Sequence, residues 1–141
     1  MTITHEAATE ILPDAVCWQL LRESVVGRLA VIVDRQPDIF PVNHVVDHGT
    51  IVFRSGTGTK VFASLHQVVA FECDGYDPAK GSAWSVVVHG VAADIHETNE
   101  ALRAMTLPLF PWQTGPKPRF IRIEPTEISG RRILVAGGVT A

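Results

Sequence analysis

Between Arg54 and Lys60 the chain reads RSGTGTK, and these residue types in this order could hold an anion. An arginine closes an apolar run, VF, and a lysine opens another, VFA. Ser55, Thr57 and Thr59 supply hydroxyl donors, and Gly56 and Gly58 let backbone N–H groups turn inward. Such a loop suits a phosphate monoester, which carries up to two charges and three acceptor oxygens. Arg54 can grip it with two parallel hydrogen bonds while Lys60 adds a point charge.

Little else along the chain is arranged for chemistry. Asp34, Asp38, Asp47, Glu72 and Asp74 stand at strand ends or turns, with no pair spaced as an acid–base dyad. Glu72 differs in following Phe71 inside an apolar run, so burial and pairing with a nearby cation or hydroxyl are expected there. His44 sits in a strand-like run, where the plain reading is a packed, hydrogen-bonded histidine. Cys17 and Cys73 lack zinc spacing, and one pair is no disulfide framework; both read as small apolar fillers. No metal site is expected.

The elements that must position the loop are mostly strands. A helix is expected over 14–24, with Asp14 as its cap and Val16, Cys17, Leu20 and Leu21 inward. Strands are expected at Arg28–Asp34, Ile39–Asp47 and Thr50–Arg54, joined by a turn at Arg35–Asp38 and a hairpin turn at His48-Gly49. A short helix at Val61–Leu65 follows the loop, then a strand at Val68–Cys73 and a loop from Asp74 to Ser82. The next strand, Ala83–Ala93, contains Gly90, which marks a bulge or bend. A helix is expected at Thr98–Met105, then a proline-rich loop from Pro108 to Pro118 carrying Trp112. Phe120–Glu124 and Arg131–Val135 read as two last strands around a turn at Glu127–Gly130. Six or seven short antiparallel strands with two or three short helices make a mainly β barrel, and no strand–helix alternation supports a Rossmann-type sheet.

Composition bounds the rest. The 141 residues suit one domain spanning the whole chain, 1–141. Apolar residues make up 46% and aromatics only 7%, so the core is built from aliphatic side chains that favour strands. A mean hydropathy of +0.18 is high for so short a chain and points to apolar surface covered by a partner subunit. The net charge of −3, without a basic tract, excludes the electrostatic footprint of a nucleic-acid binder. No apolar run is long enough to span a bilayer, and the N-terminal MTITHEAATEILP has acidic residues where a signal peptide has basic ones. A cytoplasmic location is expected.

Five segments taken together carry a resemblance. They are VGRLAV (Val26–Val31), FPVNHVVD (Phe40–Asp47), VFRSGTGTK (Val52–Lys60), VAFECD (Val69–Asp74) and WSVVVHGVA (Trp84–Ala92). Their order and spacing resemble the pyridoxamine 5'-phosphate oxidase-like family of FMN-binding split-barrel proteins, in particular its short members, from about Val16 to Ile133. The resemblance implies a six- to seven-stranded antiparallel split β-barrel, a homodimer, and FMN lying across the dimer interface. It places Arg54, Ser55, Thr59 and Lys60 at the FMN phosphate. Pro41, Val42, Asn43, His44 and Val45 fall on the strand beside the isoalloxazine and ribityl chain. Trp84 and Ser85 reach the flavin from the other subunit, and the Trp112 loop folds over the partner's cofactor. His44 is the one catalytic candidate, a base near flavin N5.

The activity implied is flavin hydride transfer to or from a small organic substrate. A deazaflavin (F420)-dependent reductase is the alternative, and a non-enzymatic flavin or haem carrier a third reading. The sequence departs from the pyridoxal phosphate-forming oxidase in two places. FPVNHVVD lacks the lysine expected on the second strand, and the C-terminal stretch after Phe120 has no tryptophan. Arg131-Arg132 is expected as a solvated turn, with a phosphate role in substrate binding as its other reading.

Overall fold

The computed structural model describes residues 8–55, 60–95 and 119–134. Seven strands and two helices follow in the order β1 (Ala8–Ile11), α1 (Asp14–Glu23), β2 (Val26–Val33), β3 (Gln36–Asp47), β4 (Thr50–Ser55), α2 (Lys60–Ala63), β5 (Val68–Asp77), β6 (Ser82–Ile95) and β7 (Arg119–Leu134). All pairings are antiparallel. The strand order β7-β4-β3-β2-β5-β6 closes on itself because β6 also pairs with β7. The result is the six-stranded ring of an antiparallel barrel, as the sequence led one to expect. β1 is added beside the C-terminal end of β7, pairing Ala8–Ile11 with Arg131–Leu134, while β4 takes the other end of the same edge. One long strand thus serves two partners on one side, and the wall is split between them.

Alternation sets the core. Leu29, Val31, Ile51, Phe53, Val69, Phe71, Val86, Val88, Ile121 and Ile123 point inward and are essentially inaccessible. Helix α1 packs against β3, β6 and β7 and contributes Cys17 and Leu21, one turn apart. Its close approach requires Gly130: a Cβ there would stand 2.6 Å from the Cys17 sulfur.

Several boundaries differ from the sequence reading. Pro13, not Asp14, occupies the N-cap position, and no side chain caps the helix. Asp14 instead lies in the first turn, where its charge complements the positive end of the helix. Val16 is about one-third exposed (36%); the buried face of α1 is rotated toward Cys17 and Leu21. The first hairpin turns at Asp34-Arg35, both with positive φ (52° and 64°), and β3 starts at Gln36. Two left-handed residues match the twist of a two-residue hairpin better than the longer turn expected around Pro37. Pro37 and Pro41 are tolerated because β4 pairs only with the Asp47 end of β3 (His44–Asp47), leaving their stretch an edge. The second hairpin turns at His48-Gly49 as expected, with φ of 50° and 73°.

β5 runs to Asp77, four residues past its expected end, because its pairing with β6 continues to Asp77–Ser82. The two expected C-terminal strands are one 16-residue strand, β7, paired with β6 from Ser82–Leu134 to Ile95–Phe120. Pro125 is accommodated opposite Gly90, where the register shifts between His89 and Gly90. The irregularity expected at Gly90 is there. β1 was not foreseen: four residues of mixed polarity carry no periodic signal. The expected helix at Thr98–Met105 and the Trp112 loop lie outside the described residues.

Candidate functional site

β3, β4, the end of β6 and the start of β7 build a second, smaller apolar cluster on the outer wall of the barrel. Register explains it. Ile51 and Phe53 point into the core, so Val52 and Arg54 point outward. Val52 is flanked by Val45 on β3 and Arg122 on β7. Val52, Ile95 and Phe120 are buried, with Val45 packed against them. Arg54 lies opposite Phe120, its guanidinium carbon 5.5 Å from the ring centroid, within cation–π range. Arg54 Nε is buried and has no hydrogen-bond partner among the described residues. A buried donor left open costs about 1–3 kcal/mol, so such a group in a native fold calls for an acceptor. Ser55, buried, ends β4 beside it. Lys60 opens α2. Thr59 lies outside the described residues, as do the other loop positions from 56 on.

A polar lock borders this strip. Arg122 donates from Nη1 to Asp47 Oδ2 at 3.1 Å and to Thr50 Oγ1 at 2.6 Å. Thr50 Oγ1 in turn donates to the Asp47 carbonyl at 2.6 Å. Arg122 and Asp47 are both nearly buried, so the pair ties the β3–β4 hairpin to β7 and is lost expensively if one partner goes. Sequence reading missed this pair, because neither residue has a local motif; only the β4–β7 register brings them together.

The strand predicted to run along the cofactor splits by parity. Asn43 is buried, and Val45 joins the outer cluster. Pro41 is exposed opposite Arg28. Val42 packs against the main core. His44 is 3% exposed, with its ring edge-on to Phe71 at 4.8 Å between centroids. Its Nε2 lies 2.9 Å from the Leu21 carbonyl. A carbonyl only accepts, so Nε2 carries the proton and the neutral ring ties β3 to the end of α1. Burial pushes its pKa below the ordinary histidine value, against the smaller opposing effect of hydrogen bonds to the Leu21 and Val25 backbone. Its Nδ1 is buried and unpartnered.

Trp84 and Ser85, predicted to act together, face opposite sides of β6. Trp84 shares the inner parity of Val86 and packs against the core. Its indole lies over Gly75, where a Cβ would collide with Nε1 and Cε2. Ser85 faces outward with Val87 and lines two adjoining clefts. The first, about 390 Å³, is lined by Asp74, Tyr76, Ala83, Ser85 and Ile133, together with Gly75 and Trp84. The second, about 330 Å³, is bounded by Thr9, Ile11, Ser85, Val87, Ser129 and Arg131.

These clefts are remote from Arg54 within one chain. Arg54 pairs with Phe120, and Ser85 with Arg131, eleven residues farther along the same strand. That is about 30–36 Å of strand at ~3.3 Å per residue. Trp112 lies outside the described residues.

The remaining titratable groups serve the fold. Glu72 is ion-paired to Arg28 at 2.9 Å, as expected for a carboxylate in an apolar strand, and Arg28 also reaches Asp74 at 3.3 Å. Burial, then the neighbouring Asp74, raises the Glu72 pKa. Burial pushes the Cys73 thiol up to about 12 and raises that of Cys17, so both stay protonated and unreactive. Among the described residues no group of histidines, cysteines and carboxylates could hold a metal ion, and no helix is long and apolar enough to cross a membrane.

Comparison with known proteins agrees with this architecture. A structure of the FAD binding protein from Mycobacterium smegmatis is 36% identical, with a TM-score of 0.76 over 86% of this chain and 96% of its own. A conserved protein of unknown function from Corynebacterium diphtheriae is 37% identical, with a TM-score of 0.76 over 87% and 96%. An uncharacterized protein of Mycobacterium tuberculosis is 33% identical over 114 residues, 77% of this chain and 74% of that protein. The family model described as pyridoxamine 5'-phosphate oxidase matches residues 13–132. With the barrel, the strand order and that match in agreement, the chain belongs to the pyridoxamine 5'-phosphate oxidase family.

Proposed function

We propose that this chain is a flavin-dependent oxidoreductase that holds a flavin nucleotide by its phosphate on Arg54 and works as a homodimer. The observation that carries the reading is the buried, unpartnered Nε of Arg54 beside an apolar strip and the Ser/Gly/Thr segment. A phosphate oxygen is an acceptor of the right charge for that donor. FMN is the smallest flavin nucleotide that offers such an oxygen. FAD, named for the M. smegmatis relative, satisfies the same contact. Arg54, Ser55, Thr59 and Lys60 would hold the phosphate, and Asn43 and Val45 would flank the ring and its side chain.

A bound flavin supplies two-electron transfer, and the protein's part is binding, orientation and exclusion of water. His44 positions β3 against α1 through the Leu21 carbonyl; it is a positioning residue in this reading, not the proton donor. The deazaflavin alternative is less well served, because that cofactor's acidic tail needs a wider basic groove. Arg28, Arg122 and Arg132 already face carboxylates.

The homodimer is supported by the split of the expected site. Arg54 and Ser85 stand at opposite ends of the outer wall, farther apart than a flavin mononucleotide reaches, and a second copy can bring the two ends together. The absorption spectrum of the purified protein and titration with FMN and FAD test the proposal. Flavin absorbance that survives gel filtration is expected; absence of binding by both nucleotides would overturn it.

A further inference from the structure

The strand-borne arginines whose side chains are described fall into two groups. Arg28 faces Glu72 and Asp74, Arg122 faces Asp47, and Arg132 lies 3.7 Å from Glu10. Arg54 and Arg131 have no carboxylate partner among the described residues. Both point outward, at opposite ends of the β7 pairing.

Arg131 is no turn residue, contrary to the sequence expectation. It sits inside β7, between Ser85 on β6 and Ile11 on β1. The cleft around it, about 330 Å³, presents Thr9, Ser85 and Ser129 as hydroxyl donors and Ile11 and Val87 as apolar wall. The adjoining 390 Å³ cleft shares Ser85 and adds Tyr76, Ala83, Ile133 and Asp74, whose carboxylate faces Arg28 at 3.3 Å. A guanidinium and three hydroxyls beside the apolar side chains of Ile11 and Val87 make a pattern that can read an oxyanion on a partly apolar ligand.

We propose that Arg131, with Thr9, Ser85 and Ser129, is a second anion-binding point of the flavin site, contributed by the subunit opposite the one whose Arg54 holds the phosphate. This rests on the flavin and homodimer reading above. The shared chemistry is an oxyanion, and it has two possible sources: the second phosphate of FAD, or an anionic group on the substrate, which is then a planar organic acid rather than a neutral molecule.

The test uses the full-length protein and its Arg131→Gln variant, with Arg131→Lys as the control that keeps the charge. Riboflavin, FMN and FAD are titrated by flavin fluorescence. Protein loaded with FMN is then reduced with dithionite, freed of excess reductant, and reoxidised anaerobically by anthraquinone-2-sulfonate or by the neutral quinone menadione. Each reoxidation passes two electrons and two protons from the reduced flavin to the quinone and yields the hydroquinone.

If the cofactor supplies the anion, Arg131→Gln weakens FAD by about 10- to 150-fold, the range of a charge-assisted hydrogen bond, and leaves FMN unchanged. If the substrate supplies it, both nucleotides bind as before. Reoxidation by the sulfonate then slows at least about tenfold while menadione is unaffected. In either case Arg131→Lys recovers part of the effect. A variant that matches the wild type in FAD affinity and with both quinones overturns the inference while leaving the flavin reading intact. A wild-type protein that binds no flavin overturns the flavin reading instead.

Discussion

Arg54 and His44 illustrate two fates for a buried polar side chain. Arg54 keeps an unmet donor against Phe120, whereas His44 spends its donor on Leu21. If Arg54 holds a flavin phosphate, Arg54→Ala removes a charge-assisted bond worth roughly 1.5–3 kcal/mol and weakens FMN about 10- to 150-fold. Riboflavin, lacking the phosphate, should bind both forms equally; fluorescence titration with the two ligands shows whether the loss tracks the phosphate. For His44 the prediction concerns pH. Its folded-state pKa is lowered by burial, so the unfolded chain takes up its proton first as pH falls below about 6.5. Stability from this residue is complete above that value and is lost as pH falls toward the folded pKa. Glu72, whose pKa is raised, acts in the opposite sense, contributing most below the ordinary glutamate pKa and less as pH rises through its folded one. Urea unfolding of His44→Gln should therefore show a smaller loss of stability between pH 7 and 5 than the wild type. Equal losses would mean that His44 is not the residue being titrated.

At the scale of elements, the sequence was legible where side-chain period and turn chemistry agreed. The Ile39–Asp47 strand, the His48-Gly49 turn and the irregularity at Gly90 all carried local signals, and all are present. What was illegible depends on partners distant in sequence. Glu127–Gly130 read as a turn, yet β7 passes straight through it because β6 pairs with β7 along its length. The parity of Trp84 and Ser85 was equally hidden: adjacent residues of a strand face opposite sides, and only the fully buried Val86 and Val88 reveal which side is inside. Gly130 provides a test at this scale. Gly130→Ala drives a methyl group toward the Cys17 sulfur, and overpacking of this kind costs about 1–3 kcal/mol. Cys17→Ala should relieve much of that penalty in the double variant. Additive losses in a double-mutant cycle would show that the helix–strand contact is not the cause.

For the molecule as a whole, the question is whether one barrel contains a complete site. The resemblance in the sequence grouped Arg54 with Ser85; the register places them at opposite ends of β7. A chain of 141 residues with positive mean hydropathy also leaves Ile32, Ile39 and Val68 more than half exposed on β2, β3 and β5. Large apolar side chains exposed to this degree are expected where another subunit packs. If two copies share each site, sedimentation should give a particle of twice the 15.3 kDa chain mass. Mixed dimers then decide the geometry. Arg54→Ala chains lack the phosphate grip, and Ser85→Trp chains block the cleft that faces it, so neither homodimer should bind FMN well. In a mixed dimer one site combines both defects and the other has neither. Random reassortment of an equal mixture should restore about one quarter of the wild-type binding capacity, if the pairing is a two-fold dimer with each site shared between subunits. A site confined to one chain would restore none, because every chain in the mixture carries one of the two defects.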